Sequence, residues 1–279
     1  MKKPARAPWP KGARCAVMIS YDFDAESGWL SRGPQFEHLP GVLSQGTYGA
    51  KVGVPRILDL LKAEDVRATF FIPGWVVEQH SERCRAIRDA GHEIGHHGYR
   101  HERAEPDNPE GERAAFADGM RALGSVLDVQ PAGYRAPGWD LTQITLDLVQ
   151  QHGMFYSSNL MDDVFPYLHP GTSRPVAEIP VQWVLDDAPF YLMHPKWLNR
   201  PIASAAQVFE IWRDEFLGMY EFGGVFDLTM HPQISGMPSR LLWTRKLLRL
   251  IKRHRGVWWA TGKEIAAHWI ERETGRRPR

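Results

Sequence analysis

Residues 91 to 101 read Gly-His-Glu-Ile-Gly-His-His-Gly-Tyr-Arg-His, a concentration of imidazoles that could converge on one cation. His97 and His101 are four apart, and so are His92 and His96, so spacing alone leaves the pair undecided. Zinc chemistry needs a third protein ligand and an open position. A third ligand is on offer upstream, where the apolar run Ile19-Ser20-Tyr21 ends in the alternating carboxylates Asp22-Phe23-Asp24. At strand spacing both aspartates point to one face and Phe23 to the other.

Whatever positions these groups must be a substantial core. The chain has 279 residues, 43% of them hydrophobic, enough for one large α/β domain. A formal net charge of +1 with interspersed signs argues against a nucleic-acid partner; only the tails are basic. Cys15 and Cys84 lie in segments that read as buried strand and helix, as expected of free thiols in a reducing compartment. Residues 1–11 hold three prolines and no apolar core of a signal peptide, and no run approaches the ~20 residues of a membrane span. A cytoplasmic protein without membrane partners is the expectation.

Ala16 to Tyr21 reads as a buried strand, followed by a long glycine-rich loop over 25–52. A helix opens near Pro55, and Arg67 to Ile72 is a second strand closed by Pro73-Gly74. Ser81 caps a helix that Gly91 stops, and His92 to Gly95 forms the third strand. Helices are predicted near 109–128, 141–152, 205–220, 239–254 and 262–271. Strands are predicted near 133–134, 154–157, 178–180, 225–230 and 257–260. Unbroken alternation implies one irregular (β/α)7-type barrel of parallel strands over residues 1–279, its core about 14–269. Chemistry in such a barrel sits at the carboxyl ends of strands. Asp22 and Asp24, His97 and His101, Arg135 and His231 all fall there.

These residues resemble the polysaccharide deacetylase family, the nodulation-deacetylase homology domain, in motif order from about Arg14 to Trp269. His97-Gly98-Tyr99-Arg100-His101 matches its His-Ser/Thr-x-x-His motif, which selects His97 and His101 over His92 and His96. Arg135-Ala136-Pro137 matches Arg-x-Pro, and Leu228 to Pro232 matches the final leucine–histidine motif. Two departures stand out: the usual adjacent Asp-Asp is spread to Asp22-x-Asp24, and Gly98 replaces a hydroxyl residue. With Gly46-Thr47-Tyr48-Gly49 and Val54 to Leu58 they resemble a branch of intracellular peptidoglycan deacetylase-like proteins, cyclic imidases and allantoinase relatives.

The resemblance implies a metal-dependent hydrolase of non-peptide carbon–nitrogen bonds that removes N-acetyl groups from amino sugars. Opening of a small cyclic amide is the alternative, and a catalytically silent scaffold the third reading. It further implies Asp24, His97 and His101 as ligands of a divalent metal, zinc, with Asp22 as general base and His231 as general acid. Arg135 orients Asp22 or the substrate; the plainer alternatives are an acceptor behind the ligands for Asp22, a strand-capping histidine and a surface arginine. Asp186 and Asp187 either meet Arg135 or the substrate or merely shape a turn before Pro189, and Glu26 could stand behind the metal. Trp29, Leu30, Phe36, Leu39, Val42, Leu43 and Tyr48 load the 25–52 segment with apolar surface. A neighbouring subunit is expected to cover it in a homo-oligomer, a tetramer.

Overall fold

The computed structural model of the protein describes residues 8–278. One sheet is built from β1 (Cys15–Asp22), β2 (Thr69–Ile72), β3 (Glu93–His96), β4 (Gly133–Tyr134), β5 (Tyr156–Ser157), β6 (Tyr167–Leu168), β7 (Ala177–Glu178), β8 (Val225–Met230) and β9 (Val257–Trp259). Its order is β6-β7-β5-β4-β3-β2-β1-β8, with every pair parallel except β6–β7. Every residue of β1 is buried, as its apolar run predicts for a strand covered on both faces. β8 lines one of its edges from Ala16 to Tyr21. The other edge is shared: β9 takes the first half at Cys15 to Val17, and β2 the second at Ser20 to Asp22.

The sheet curls into a half-barrel ringed by helices, the α/β barrel-type architecture expected. Where β7 would meet β8, the structure has a bridge between Asp186 and Thr229, reinforced by the Asp187 N–H to the Thr229 carbonyl. The major helices run at Pro109–Leu127, Thr145–Gln151, Ala205–Phe222, Pro238–Lys252 and Gly262–Thr274. Two of them open on capping boxes that the sequence reading did not single out, Ser204 with Gln207 and Thr261 with Glu264. Ser81, expected as a cap, is instead the first residue of helix Ser81–Asp89 behind His80.

The 25–52 segment differs from the loop expected. It contains helices Ser27–Leu30 and Pro40–Tyr48, a 3-10 turn at Pro34–His38, and a π-turn at Gly49–Gly53 that continues into helix Val54–Ala63. Gly46, and Gly53 just beyond the segment, serve close packing rather than turning. A Cβ at Gly46 would strike the Ala25 carbonyl, and one at Gly53 the Pro232 carbonyl. Trp29, Phe36 and Val42 are buried within the chain against Leu192, Trp197 and Leu198. A neighbouring subunit is therefore not needed to cover this apolar surface, which removes the premise for assembly drawn from it.

Gly53→Ala should accordingly lower unfolding stability by about 1–3 kcal/mol through overpacking against Pro232. Gly41→Ala, where a Cβ meets open space in the neighbouring helix, should instead be neutral or slightly stabilising. Denaturant unfolding of the two variants checks the contrast.

Candidate active site

Five strand ends deliver the polar groups. β1 gives Asp22, and its pairing continues one step, with the Phe23 N–H donating to the Phe71 carbonyl, so that Asp24 returns to the same side. Ala25, at φ 48°, then turns the chain away. β3 leads into His97, β4 into Arg135, β5 into Ser158 and β8 into His231. Asp22, Asp24, His97, His101 and His231 all line one pocket of about 120 Å³, walled by Trp29, Trp139 and Trp183.

His101 reaches this pocket through a tight loop. Gly98 and His101 both have positive φ, 73° and 64°, an unusual backbone for a histidine that marks a functionally constrained position. The loop is pinned from outside: Glu102 accepts the Tyr99 and Arg100 N–H groups, and Gly74 and Trp75 donate to the Gly98 and Tyr99 carbonyls. His96 supports it from behind, accepting the Gly98 N–H at Nδ1 while its Nε2 donates to the Phe116 carbonyl. His92 accepts the Ala68 N–H at Nδ1. Neither lines the pocket, in line with the selection of His97 and His101.

Ligand atoms of Asp24, His97 and His101 all lie within 4.8 Å of one another. The His97 Nδ1–H donates to the Arg135 carbonyl at 2.6 Å, which leaves a lone pair on Nε2. That lone pair faces the Asp24 Oδ1 at 3.4 Å, and Oδ1 is buried without a hydrogen-bond partner. Two lone pairs turned on each other need a proton or a metal cation between them, and this buried N/O set fits a divalent metal. Burial pushes the His101 pKa down to about 4, keeping its imidazole neutral as a ligand must be. Burial also opposes charge on Asp24, but His101, His97 and His231 outweigh it and hold the carboxylate ionised. On His97 burial is again opposed, by Asp22 and Asp24, which draw its pKa upward.

Arg135 is fully buried, not a surface residue. It donates to Asp22 at 3.0 Å and to Asp227 at 2.6 Å, and also to Ser20, Thr229 and Ser158. Among the described residues no hydrogen bond or ion pair joins Asp186 or Asp187 to it. Asp187 instead accepts the His231 Nδ1–H at 2.7 Å, the His231 backbone N–H and the Ser235 hydroxyl. Burial disfavours the His231 imidazolium, yet Asp187 and Asp186 overcome this and raise its pKa well above the usual range. Asp186 lines the pocket and accepts the Ala188 N–H. Glu26 turns away to Thr47 and His80, so it does not support the metal set.

Sequence reasoning missed Asp227, Asp187's role and Gln233, which donates to the Asp24 Oδ2 at 3.4 Å. Asp227 did leave a signal. A carboxylate inside the apolar run Val225-Phe226-Asp227-Leu228 must be buried, and a buried charge demands a partner.

Residues 46–157 match the profile of the polysaccharide deacetylase family, a span holding His97, His101 and Arg135 but not Asp22, Asp24 or His231. A peptidoglycan deacetylase of Helicobacter pylori is 33% identical over 286 aligned positions, covering 92% of this chain and 97% of that protein. The chain belongs to the polysaccharide deacetylase family. Membership agrees with the motif resemblance and with structural neighbours. A putative polysaccharide deacetylase from Mycobacterium smegmatis superposes with a TM-score of 0.92 at 38% identity, over 99% of this chain and 97% of that one. Puue allantoinase superposes with a TM-score of 0.84 at 25% identity, over 96% and 94%. Family membership thus fixes the fold, while the pocket residues carry the chemistry.

Removal of one ligand tests the metal set directly. In the wild-type protein Zn2+ at about 100 times Kd should stabilise the fold by about 3 kcal/mol. His97→Ala, His101→Ala and Asp24→Asn should each abolish stoichiometric uptake, read by elemental analysis, together with that thermal shift. Full occupancy in any of the three would break the assignment.

Proposed function

We propose that this chain is a metal-dependent amidohydrolase that removes acetyl groups from N-acetylated amino sugars, acting as one domain whose core spans about 14–269. The observation that carries the reading is the buried, unpartnered Asp24 Oδ1 facing the His97 Nε2, with Asp22 and His231 lining the same pocket. A divalent cation held by Asp24, His97 and His101, in our reading zinc, supplies Lewis acidity and lowers the pKa of water.

The protein's own groups divide the remaining work. Asp22, held by Arg135 at 3.0 Å, accepts the proton of the attacking water. His231 keeps its Nδ1–H on Asp187 and presents Nε2 to the pocket, 3.6 Å from Asp24. There it protonates the departing nitrogen, and the raised pKa keeps that proton available near neutral pH. Trp29, Trp139 and Trp183 shield the reacting groups from bulk water.

The size of the pocket, about 120 Å³, favours one further reading: opening of a small cyclic imide or ureide by the same residues. With all these groups in place, a silent scaffold has no support. Among the described residues no helix is long and apolar enough to cross a membrane. A cytoplasmic site of action and a homotetramer belong to this proposal; light scattering tests the latter, for which a monomer at micromolar concentration is the adverse result.

Turnover of zinc-loaded protein against N-acetylglucosamine oligomers and succinimide distinguishes the two substrate classes. Asp22→Asn should retain the metal and lower kcat by roughly 10²–10⁴ on the accepted substrate. Metal loss in Asp22→Asn with retention in Asp24→Asn would exchange the two roles.

A further inference from the structure

The pocket mouth carries more positive charge than its machinery uses. Arg32 and Arg103 both line it. Arg32 spends its Nε on the Gly28 carbonyl and lies over the Trp29 ring at 5.3 Å, which steadies the guanidinium without neutralising it. Arg103 packs on Gly138, where the nearest guanidinium atoms would lie 3.3 Å from an added Cβ. Among the described residues neither arginine forms an ion pair with a carboxylate. Arg200 stands close enough to add to the repulsion on Arg32, and its own fork is taken by the Leu192 and Ala188 carbonyls.

Asp24 attracts Arg32, but the repulsion from Arg103 outweighs it. Asp22 is paired with Arg135, Asp24 belongs to the histidine set, and Asp186 accepts a backbone N–H. Like charges held together at the entrance of a site, each with donors to spare, match an anion that arrives with the substrate. A planar guanidinium fork suits a carboxylate.

We propose that the site selects amide substrates that carry a carboxylate, which Arg32 and Arg103 hold at the mouth while the amide reaches the Asp24–His97–His101 set. The proposal rests on the amidohydrolase reading of the same pocket. The carboxylate could belong to an acidic amino sugar or to a small N-acyl acid. Both offer the same chemistry to the two arginines.

Calorimetric titration of the zinc-loaded full chain tests this with N-acetylmuramic acid and N-acetylglucosamine, which differ only by the lactyl ether. The acid should bind on the order of 10–100-fold more tightly, as expected for charge-assisted hydrogen bonds. Arg32→Gln and Arg103→Gln should each erase much of that preference, and the double variant nearly all of it. N-acetylaspartate against N-acetylaspartate diamide forms the non-sugar arm; a preference there instead assigns the carboxylate to a small acid. Equal binding of acid and neutral partner in both arms, absence of binding, or a preference that survives the double variant overturns the proposal. Turnover separates the two claims. Hydrolysis with no carboxylate preference keeps the amidohydrolase reading and sinks this one; an arginine-dependent preference without hydrolysis does the reverse.

Discussion

The fold and the site depend together on a single buried cation, the Arg135 guanidinium. Its side chain joins β1 through Ser20 and Asp22 to β8 through Asp227 and Thr229, and reaches Ser158 beyond β5. Burial disfavours its charge, but Asp22 and Asp227 more than offset this and raise its pKa. The Phe71 ring lies 4.2 Å from the guanidinium and closes it off on one face. Breaking such a buried cluster by removing one member typically costs about 3–5 kcal/mol, because the remaining charges lose their partners. The same residue's backbone carbonyl fixes the His97 tautomer. One position thereby orients both Asp22, the proposed base, and His97, a proposed ligand, so the strand ends cannot slide without disturbing the pocket.

A second constraint links the 25–52 segment to the His231 corner. The π-turn Gly49–Gly53 presses on the His231–Pro232 corner: Gly53 abuts the Pro232 carbonyl and Gly49 the Gln233 backbone. Gln233 in turn reaches Asp24. The 25–52 segment thus forms a rigid wall whose glycines let two backbones meet at close range. Ala25, Gly28, Trp29 and Arg32 from that wall line the pocket, so the segment that directly follows Asp24 helps to shape it.

Much of this was legible in the residues. The apolar run of β8 was read to its observed ends because it is fully buried and bounded by Gly224 and Pro232. Asp24, His97, His101 and His231 do converge as their strand-end positions implied. The misreading over 25–52 has a physical cause. Glycine in a sequence signals permissive backbone, and only the packing reveals whether that freedom serves a turn or a close approach. Asp187 was equally ambiguous, because an Asp before Ala-Pro fits a turn as well as a partner for an imidazole 44 residues away. Long-range polar pairs leave no periodicity, so the carboxylate behind His231 emerged only when the Asp186–Thr229 bridge brought it alongside β8.

Three imidazoles face one carboxylate, and their surroundings favour His97 and His101 as the proposed ligands. The Nε2 atoms of His97, His101 and His231 lie 3.4, 3.6 and 3.6 Å from Asp24 oxygens. Geometry makes the first cut, since among the described residues only His97 and His101 share with Asp24 a set of donor atoms all within 4.8 Å. The partner at Nδ1 makes the second. The Asp187 carboxylate behind His231 favours the imidazolium more strongly than the Arg135 carbonyl behind His97 does, although Asp22 and Asp24 draw the His97 pKa upward as well. Burial without an anionic Nδ1 contact pushes His101 the other way, to about 4. Identical side chains are thus driven apart in proton affinity by what stands behind them, which is how one pocket can hold both a cation site and a proton donor.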